Sequence, residues 1–257
     1  MKKLFYYLFL ITILISSCKN DKTADSTENS TNSESEKRLE IKPISHATMV
    51  LNYGNETIYV DPTGGKLAFK NQKKPTIVLI TDIHGDHYNL KTLKEIDLNG
   101  TIIVAPTAVI DKFPEDFKPM FKVLNNGESS VIKDISIEAV PMYNLREEAL
   151  KFHSKGRGNG YVLTLDNERI YISGDTEDIP EMRALKNIDK AFVCMNLPYT
   201  MTVESAADAV LEFKPKQVYP YHYRGTGGLS DIRKFANIVN KADLEIEVVQ
   251  LNWYPNL

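Results

Sequence analysis

Four side chains that can bind a metal ion occur within six residues: Asp82, His84, Asp86 and His87. Neutral imidazole and carboxylate are the ligand types that suit Zn²⁺, Fe or Mn²⁺. The cluster directly follows the apolar run at 75–80, so it lies where a buried strand must end, and Gly85 permits a turn that folds the side chains inward. A polar loop with incidental histidines is the alternative interpretation. We predict a metal site here.

Two further potential ligands also follow apolar runs of strand type. Asp175 comes after Ile170-Tyr171-Ile172, and His222 ends Val218-Tyr219-Pro220-Tyr221. Each residue, taken alone, is equally well explained as a turn aspartate or an edge histidine. Strand ends on one rim of a pair of sheets can converge, and ligand clefts usually lie on such a rim. Together with the cluster at 82–87, the two residues therefore predict one site.

The elements that must position these residues begin with strands and then alternate. Strands are expected at 40–44, 48–53, 57–60, 75–80, 101–105, 131–140, 160–165, 169–173, 190–195, 217–221 and 245–250. Helices are expected at 90–95, 180–185, 202–213 and 229–240. This order fits two packed sheets with helices outside, an α+β fold.

The motifs resemble those of the metallo-β-lactamase superfamily. Segment 81–87 is similar to its His-x-His-x-Asp-His signature, with Asp82 in the first histidine position. Segments 170–176 and 218–223 resemble its strand ending in Gly-Asp and its last ligand strand. Segment 44–48, which contains His46, resembles the lactonase-like branch, which includes ascorbate-6-phosphate lactonase and N-acylphosphatidylethanolamine phospholipase D. The resemblance spans 39–252 and implies an αβ/βα four-layer sandwich.

The resemblance also implies two metal sites. The second site has a complete ligand set: Asp86, His87, Asp175 and His222. The first site keeps His84, but Asp82 replaces a histidine and Asn144 occupies the position of the third histidine. Because asparagine is a poor zinc ligand, we expect one ion, or two with the first weak or oxygen-rich. Zn²⁺ is the expected ion, and an oxygen-rich site would favour Mn²⁺ or Fe.

Three other residues have open roles in this sequence. His153 either completes the first site in place of Asn144, contacts substrate, or is a surface histidine of a glycine-rich loop. His153 and Tyr143 are the candidates for a general acid. His46 either lines the pocket or hydrogen-bonds within the core, and the resemblance favours the pocket.

Basic residues flank the expected ligands along the chain: Arg146, Lys155, Arg157 and Arg224. If these side chains face the metal, they favour an anionic substrate; otherwise they are solvated surface charges. The predicted substrate-binding set is His46, Asn144, Arg146, Lys155 and Arg224. Formal net charge is −3, which does not indicate nucleic acid as a partner.

The resemblance implies a metal-dependent hydrolase acting on a small molecule. A metal-bound hydroxide, oriented by Asp86, would attack an ester, lactone or phosphodiester-type substrate. The alternative is a non-catalytic, metal-stabilised binding lipoprotein, which the pair Asp82 and Asn144 favours. Turnover of a generic phosphodiester or lactone would separate the two hypotheses.

The N-terminus has the pattern of a lipoprotein signal peptide. Two lysines precede an apolar run at 4–15, and Ser16-Ser17-Cys18 resembles a bacterial lipobox. We expect a signal peptide at 1–17, a lipidated Cys18 with a polar tether at 18–37, and a domain at 38–257. An ordinary secretory signal is the alternative. The lipid anchor predicts a protein of the bacterial cell envelope, periplasmic or surface-facing and held to the membrane.

Overall fold

The structure, a computed structural model, describes residues 38–117 and 119–255. The signal peptide, lipidated Cys18 and tether expected at 1–37 lie outside the described residues. Within the described part of the chain, no helix has both the length and the apolar character needed to cross a membrane.

Two mixed sheets form the framework. The first has the strand order β1-β2-β3-β4-β5-β6: Glu40–Ser45, Thr48–Tyr53, Glu56–Val60, Ile77–Leu79, Ile102–Ala105 and Met120–Val123. The second has the order β15-β12-β11-β10-β9-β8-β7, where β7 to β12 are Ser129–Ile132, Ile135–Met142, Gly158–Leu165, Glu168–Ile172, Lys190–Cys194 and Gln217–Tyr221, and β15 is Glu247–Val248. A short hairpin pairs β13 (Arg224–Gly225) with β14 (Gly228–Leu229).

The core lies between the sheets because successive side chains of a strand point to opposite faces. In β4, Ile77 and Leu79 join the large cluster that contains residues of both sheets, whereas Val78 joins a second cluster on the outer face of the first sheet. All three side chains are fully buried. The prediction of a buried strand within the run at 75–80 is therefore confirmed, and its burial extends to both faces of the sheet.

Helices cover the outer faces of both sheets. Helices α1 (Leu90–Glu95) and α2 (Thr107–Ile110) contribute Leu93 and Val109 to the outer cluster of the first sheet. Helices α3 (Pro180–Arg183), α4 (Val203–Phe213) and α5 (Ile232–Ala242) pack with the second sheet, where Phe213 meets the ring of Tyr171. The layers follow the order helix, sheet, sheet, helix. The predicted αβ/βα four-layer sandwich is confirmed.

One strand prediction is wrong. The segment expected as a single strand at 131–140 is a hairpin of β7 and β8. Its turn residues, Lys133 and Asp134, have φ values of 50° and 64°. Two successive positive φ values form the turn that suits a two-residue hairpin, and such turns usually carry glycine or asparagine. The usual sequence signal is missing at Lys133.

The strand directions bring the chemically active loops to one edge. β3 and β4 run parallel, as do β10, β11 and β12. The carboxyl ends of these strands therefore open on the same rim, from which the segments beginning at Asp61, Thr81, Ser173 and His222 leave.

Candidate metal centre

Histidine and aspartate side chains from five loops converge on this rim. Their donor atoms form groups in which every atom lies within 4.8 Å of the others. One group consists of Asp82, His84 and His153, and another of His87, Asp175 and His222. Asp86 joins His222 and His46 in a third group. The six metal ligands predicted from the sequence are all present in this assembly.

The second site is formed by buried side chains around His222. Its Nε2 lies 3.1 Å from Nε2 of His87, 3.1 Å from Oδ1 of Asp175 and 3.4 Å from Oδ2 of Asp86. His87 and His222 are fully buried, whereas the Asp86 side chain is 42% exposed. Two imidazoles and two carboxylates thus face one point, and Asp86 faces both that point and solvent.

Asp61 orients His87 from behind and was not predicted. Its Oδ2 accepts a hydrogen bond from His87 Nδ1 over 2.8 Å, and its carboxylate also binds the backbone N–H and hydroxyl of Thr81. A histidine that donates through Nδ1 presents a bare Nε2 to a metal. In the sequence, Asp61 belongs to Asp-Pro-Thr-Gly-Gly, which is typical of a turn, and it was therefore not considered for the site. Its position directly after β3, like that of the ligands after their strands, could have indicated a place at the site.

The first site contains His153 as its third ligand. Oδ2 of Asp82 lies 2.6 Å from Nδ1 of His84, and Nε2 of His153 lies 3.3 Å from Oδ2 of Asp175. Asp175 faces His222 through Oδ1 and His153 through Oδ2, so it lies between both groups. Each site then has two imidazoles and two carboxylates. The structure favours the alternative in which His153 completes the first site in place of Asn144.

Asn144 supports His153 and does not reach the site. His153 is 1% exposed, which excludes the surface-loop alternative. Its Nδ1 lies 3.1 Å from the carbonyl oxygen of Tyr199, so the ring presents Nε2 to the ligand group. The Asn144 amide donates to the carbonyls of Ala149 and Tyr199. Asn144 therefore fastens the loop that carries His153, and its predicted place in substrate binding is corrected.

The chemistry of this donor set fits cations. Burial alone would raise the pKa of Asp175, yet the His222 and His87 imidazoles hold that pKa well below its usual range. Burial alone would lower the pKa of His87, yet Asp175 and Asp61 raise it well above its usual value. Oδ1 of Asp175 and Nδ1 of His222 are buried and make no hydrogen bond within the described residues. Clustered buried carboxylates need positive charge, which divalent ions would supply. The rim is a His/Asp metal-binding site.

A cleft of about 380 Å³ opens over the centre. Its lining contains His84, Asp86, His153 and Asp175 from the centre, and Phe152, Asn196 and Tyr199 from the neighbouring loops. A small molecule placed in this cleft would touch both ligand groups.

Comparison with known proteins identifies the family. The family model of the β-lactamase superfamily domain matches residues 40–222. The chain belongs to the metallo-β-lactamase superfamily. It is 30% identical to a UPF0173 metal-dependent hydrolase of Pyrococcus horikoshii over 81% of this chain and 96% of the relative.

Solved structures share this fold. A crystal structure described as a metal-dependent hydrolase from Parabacteroides distasonis is 40% identical, with a TM-score of 0.76, covering 85% of this chain and 94% of that one. A metallo hydrolase from Ignicoccus hospitalis is 20% identical with a TM-score of 0.69, covering 83% of this chain and 94% of that one. The second similarity shows the shared fold alone.

This member departs from the superfamily signature at Asp82, and Arg157 accompanies the change. Nε and Nη2 of Arg157 lie 3.1 and 3.0 Å from the two carboxylate oxygens of Asp82, and Nη2 also donates to the carbonyl of Phe152. Asp82 is fully buried, so its charge requires a partner. Arg157 therefore neutralises Asp82 and does not face substrate.

Three other predicted functional residues do not line the cleft. Arg146 forms an ion pair with Glu177 over 2.6 Å, and Lys155 forms one with Glu181 over 2.8 Å. The Tyr143 hydroxyl donates to Glu181 over 2.9 Å, on the same side as Lys155. The predicted substrate roles of Arg146 and Lys155 and the general-acid role of Tyr143 are corrected, because sequence spacing did not reveal these carboxylate partners.

His46 and Arg224 both lie against Tyr254. His46 has a φ of 57°, and its Nε2 lies 3.2 Å from Oδ2 of Asp86. Its Nδ1 lies 2.7 Å from the hydroxyl of Tyr254, and the guanidinium of Arg224 lies 5.6 Å from the centre of the Tyr254 ring. His46 thus contacts the metal centre through Asp86, but it is not among the residues that line the cleft, so its place in substrate binding stays a prediction. Arg224 is exposed and does not line the cleft.

Glycine requirements also differ from the sequence expectation. Gly85 has no positive φ, and a Cβ on it would meet nothing within 4 Å, so the turn at 84–87 does not require glycine. Gly174 has a φ of 61°, and a Cβ there would lie 2.5 Å from Sδ of Met142. The backbone that places Asp175 therefore requires a glycine at 174.

Proposed function

We propose that this metal-dependent hydrolase binds two metal ions and hydrolyses an ester, lactone or phosphodiester-type bond in a small molecule. The observation that carries the proposal is Asp175, whose two oxygens face two separate ligand groups beneath one cleft. Such a pair of sites suits attack by water on a bound substrate. The lactonase-like branch is the proposed subgroup, because His46 from its motif contacts Asp86.

Bound ions would lower the pKa of a water molecule to about 7 and polarise the substrate. The residues of this chain then supply position and proton transfer. Asp86 is partly exposed, faces the cleft and is held by His46, so its carboxylate orients the attacking water and accepts its proton.

Asn196 is the proposed donor to the developing oxyanion. It is 2% exposed and lines the cleft, and its Oδ1 accepts a hydrogen bond from the Thr200 hydroxyl. This bond fixes the side-chain amide so that Nδ2 is left to donate. A fixed neutral donor of this kind is worth about 10²–10³ in rate. The sequence analysis missed Asn196 because it follows a strand without any motif.

Zn²⁺ is the proposed ion at both sites. Two imidazoles and two carboxylates at each site suit zinc, and they also accept Mn²⁺ or Fe. The non-catalytic alternative depended on a first site weakened by Asp82 and Asn144. His153 supplies the missing ligand, so no observation favours that alternative.

The test is turnover by the full-length protein in detergent, before and after metal removal by a chelator. Hydrolysis of phenyl esters, lactones or bis-aryl phosphodiesters should disappear with the metal and return when Zn²⁺ or Mn²⁺ is added. Asp86→Asn, which keeps the side-chain shape, should lower kcat by about 10²-fold or more. Failure of the metal-loaded protein to hydrolyse any of these classes would contradict the proposal.

A further inference from the structure

We infer that the substrate carries an uncharged, apolar group beside the bond that is cleaved. This inference rests on the proposed function and names the substrate class for the same cleft. It is drawn from the aromatic wall of the cleft, the exposed leucines on the segments that carry this wall, and the charge of the metal centre.

The wall of the cleft is aromatic. Phe152 and Tyr199 both line it, and their rings meet edge to face with centroids 5.0 Å apart. The same backbone also positions the metal ligand, because Phe152 directly precedes His153 and the carbonyl of Tyr199 accepts from His153. An apolar group held against these rings would therefore lie next to the first metal site.

The two segments that carry this wall also expose large apolar side chains. Leu145 is 48%, Leu150 46% and Leu197 40% exposed. The segments are joined, since Arg146 donates to the carbonyls of Pro198 and Thr200. A single exposed leucine needs no explanation, but three on the two joined segments that carry Phe152 and Tyr199 add apolar surface to the same part of the chain.

The charge of the centre does not favour an anion. The lining residues include no lysine or arginine, and the nearby Arg146, Lys155 and Arg157 are paired with carboxylates. The carboxylates around the centre are those of Asp61, Asp82, Asp86 and Asp175, and the guanidinium of Arg157 balances one of them. Three negative charges are left, and two divalent ions would exceed them by one positive charge. A phosphate dianion would find no further cation in the lining, whereas a neutral acyl group requires none.

The experiment measures the affinity of the metal-loaded, full-length protein for alkanoyl hydroxamic acids from acetyl to octanoyl, by titration calorimetry. Hydroxamic acids bind a metal ion through two oxygens as the hydroxamate monoanion and are not hydrolysable substrates of the three classes above, so the affinity reports the cleft without turnover. The head group is the same throughout the series, so differences in affinity report the alkyl chain alone. We expect affinity to rise about fourfold for each added methylene, the usual effect of burying one. Inorganic phosphate and methylphosphonate should bind more weakly than the hexanoyl compound.

Variants test whether the gain in affinity for each methylene depends on the aromatic wall and on the exposed leucines. Phe152→Ser and Leu150→Ser should each reduce the gain to about twofold or less for each methylene. Leu150 is exposed, so its variant remains informative if Phe152→Ser fails to fold. Leu244→Ser is the matched control, because Leu244 is 88% exposed and lies beyond α5. Its chain-length dependence should equal that of the wild type.

The inference would be overturned by an affinity that does not depend on chain length, or by tighter binding of phosphate than of the hexanoyl compound. It would also be overturned if neither Phe152→Ser nor Leu150→Ser changed the gain in affinity for each methylene. Failure of the proposed function has a different signature. In that case the hydroxamates bind with the expected chain-length dependence, but no ester, lactone or phosphodiester is hydrolysed. Hydrolysis without chain-length dependence would retain the function and reject the apolar substrate.

Discussion

At the scale of single residues, the centre depends on side chains that orient the ligands from behind. His87 is fixed by Asp61, His153 by the Tyr199 carbonyl and Asp82 by Arg157. None of these supports belongs to a recognisable motif, because each comes from a part of the chain distant from the ligand it fixes. Such contacts determine which imidazole nitrogen faces the metal.

Asp61→Asn tests the support of His87. The amide cannot accept every hydrogen bond that the carboxylate accepts, so the His87 ring loses its fixed orientation. We expect metal affinity at one of the two sites to fall about 10- to 100-fold, with the other site retained. Metal titration against a competing chelator measures this affinity. Equal affinities in wild type and variant would show that Asp61 has no role in positioning.

Arg157→Ala and Arg157→Lys test the neutralisation of Asp82. In the metal-free protein, Arg157→Ala leaves the buried Asp82 carboxylate with the His84 imidazole as its remaining close partner and should cost up to about 3 kcal/mol in the free energy of unfolding. Arg157→Lys keeps the charge but loses the forked geometry, so its loss should be smaller. Urea unfolding in the presence of a chelator measures both. A stability of Arg157→Ala equal to that of wild type would contradict the account.

At the scale of elements, the sequence predicted strands where burial patterns were strong. The run around β4 was correct because its side chains fill cores on both faces. The hairpin at 129–142 was missed because Lys133 adopts a positive φ without being glycine or asparagine. The position of His153 depends on how loop 144–153 folds back onto Tyr199, which no local pattern encodes. The sequence therefore identified the ligand but left its role open.

The turn between β10 and Asp175 gives a prediction at this scale. Gly174→Ala places a Cβ against Met142 at a positive φ, which alone costs about 1–2 kcal/mol. Because Asp175 lies between both sites, we expect metal binding to weaken at both. Gly85→Ala is the matched control, since its Cβ meets nothing, and it should change the free energy of unfolding by less than about 0.5 kcal/mol. Thermal unfolding and metal content are measured for both variants. Equal losses in Gly174→Ala and Gly85→Ala would contradict the requirement for glycine at position 174.

At the scale of the whole molecule, the described domain is a four-layer sandwich whose rim carries the centre, and the proposed lipid anchor would hold it at a membrane. Cys18→Ser removes the residue that would carry the lipid. We expect the protein to move from the membrane fraction to the soluble fraction of cells, and to lose incorporation of a labelled fatty acid. Membrane association that survives this substitution would contradict the anchor.

The central claim is a binuclear centre that His153 completes. The most direct measurement is the metal content of purified, metal-replete full-length protein by mass spectrometry, beside His153→Ala and Tyr143→Phe. We predict two ions for each chain in the wild type and about one in His153→Ala. Tyr143→Phe should keep two, because its hydroxyl binds Glu181 and Tyr143 does not line the cleft. A single ion in the wild type, or two ions retained without His153, would contradict the account.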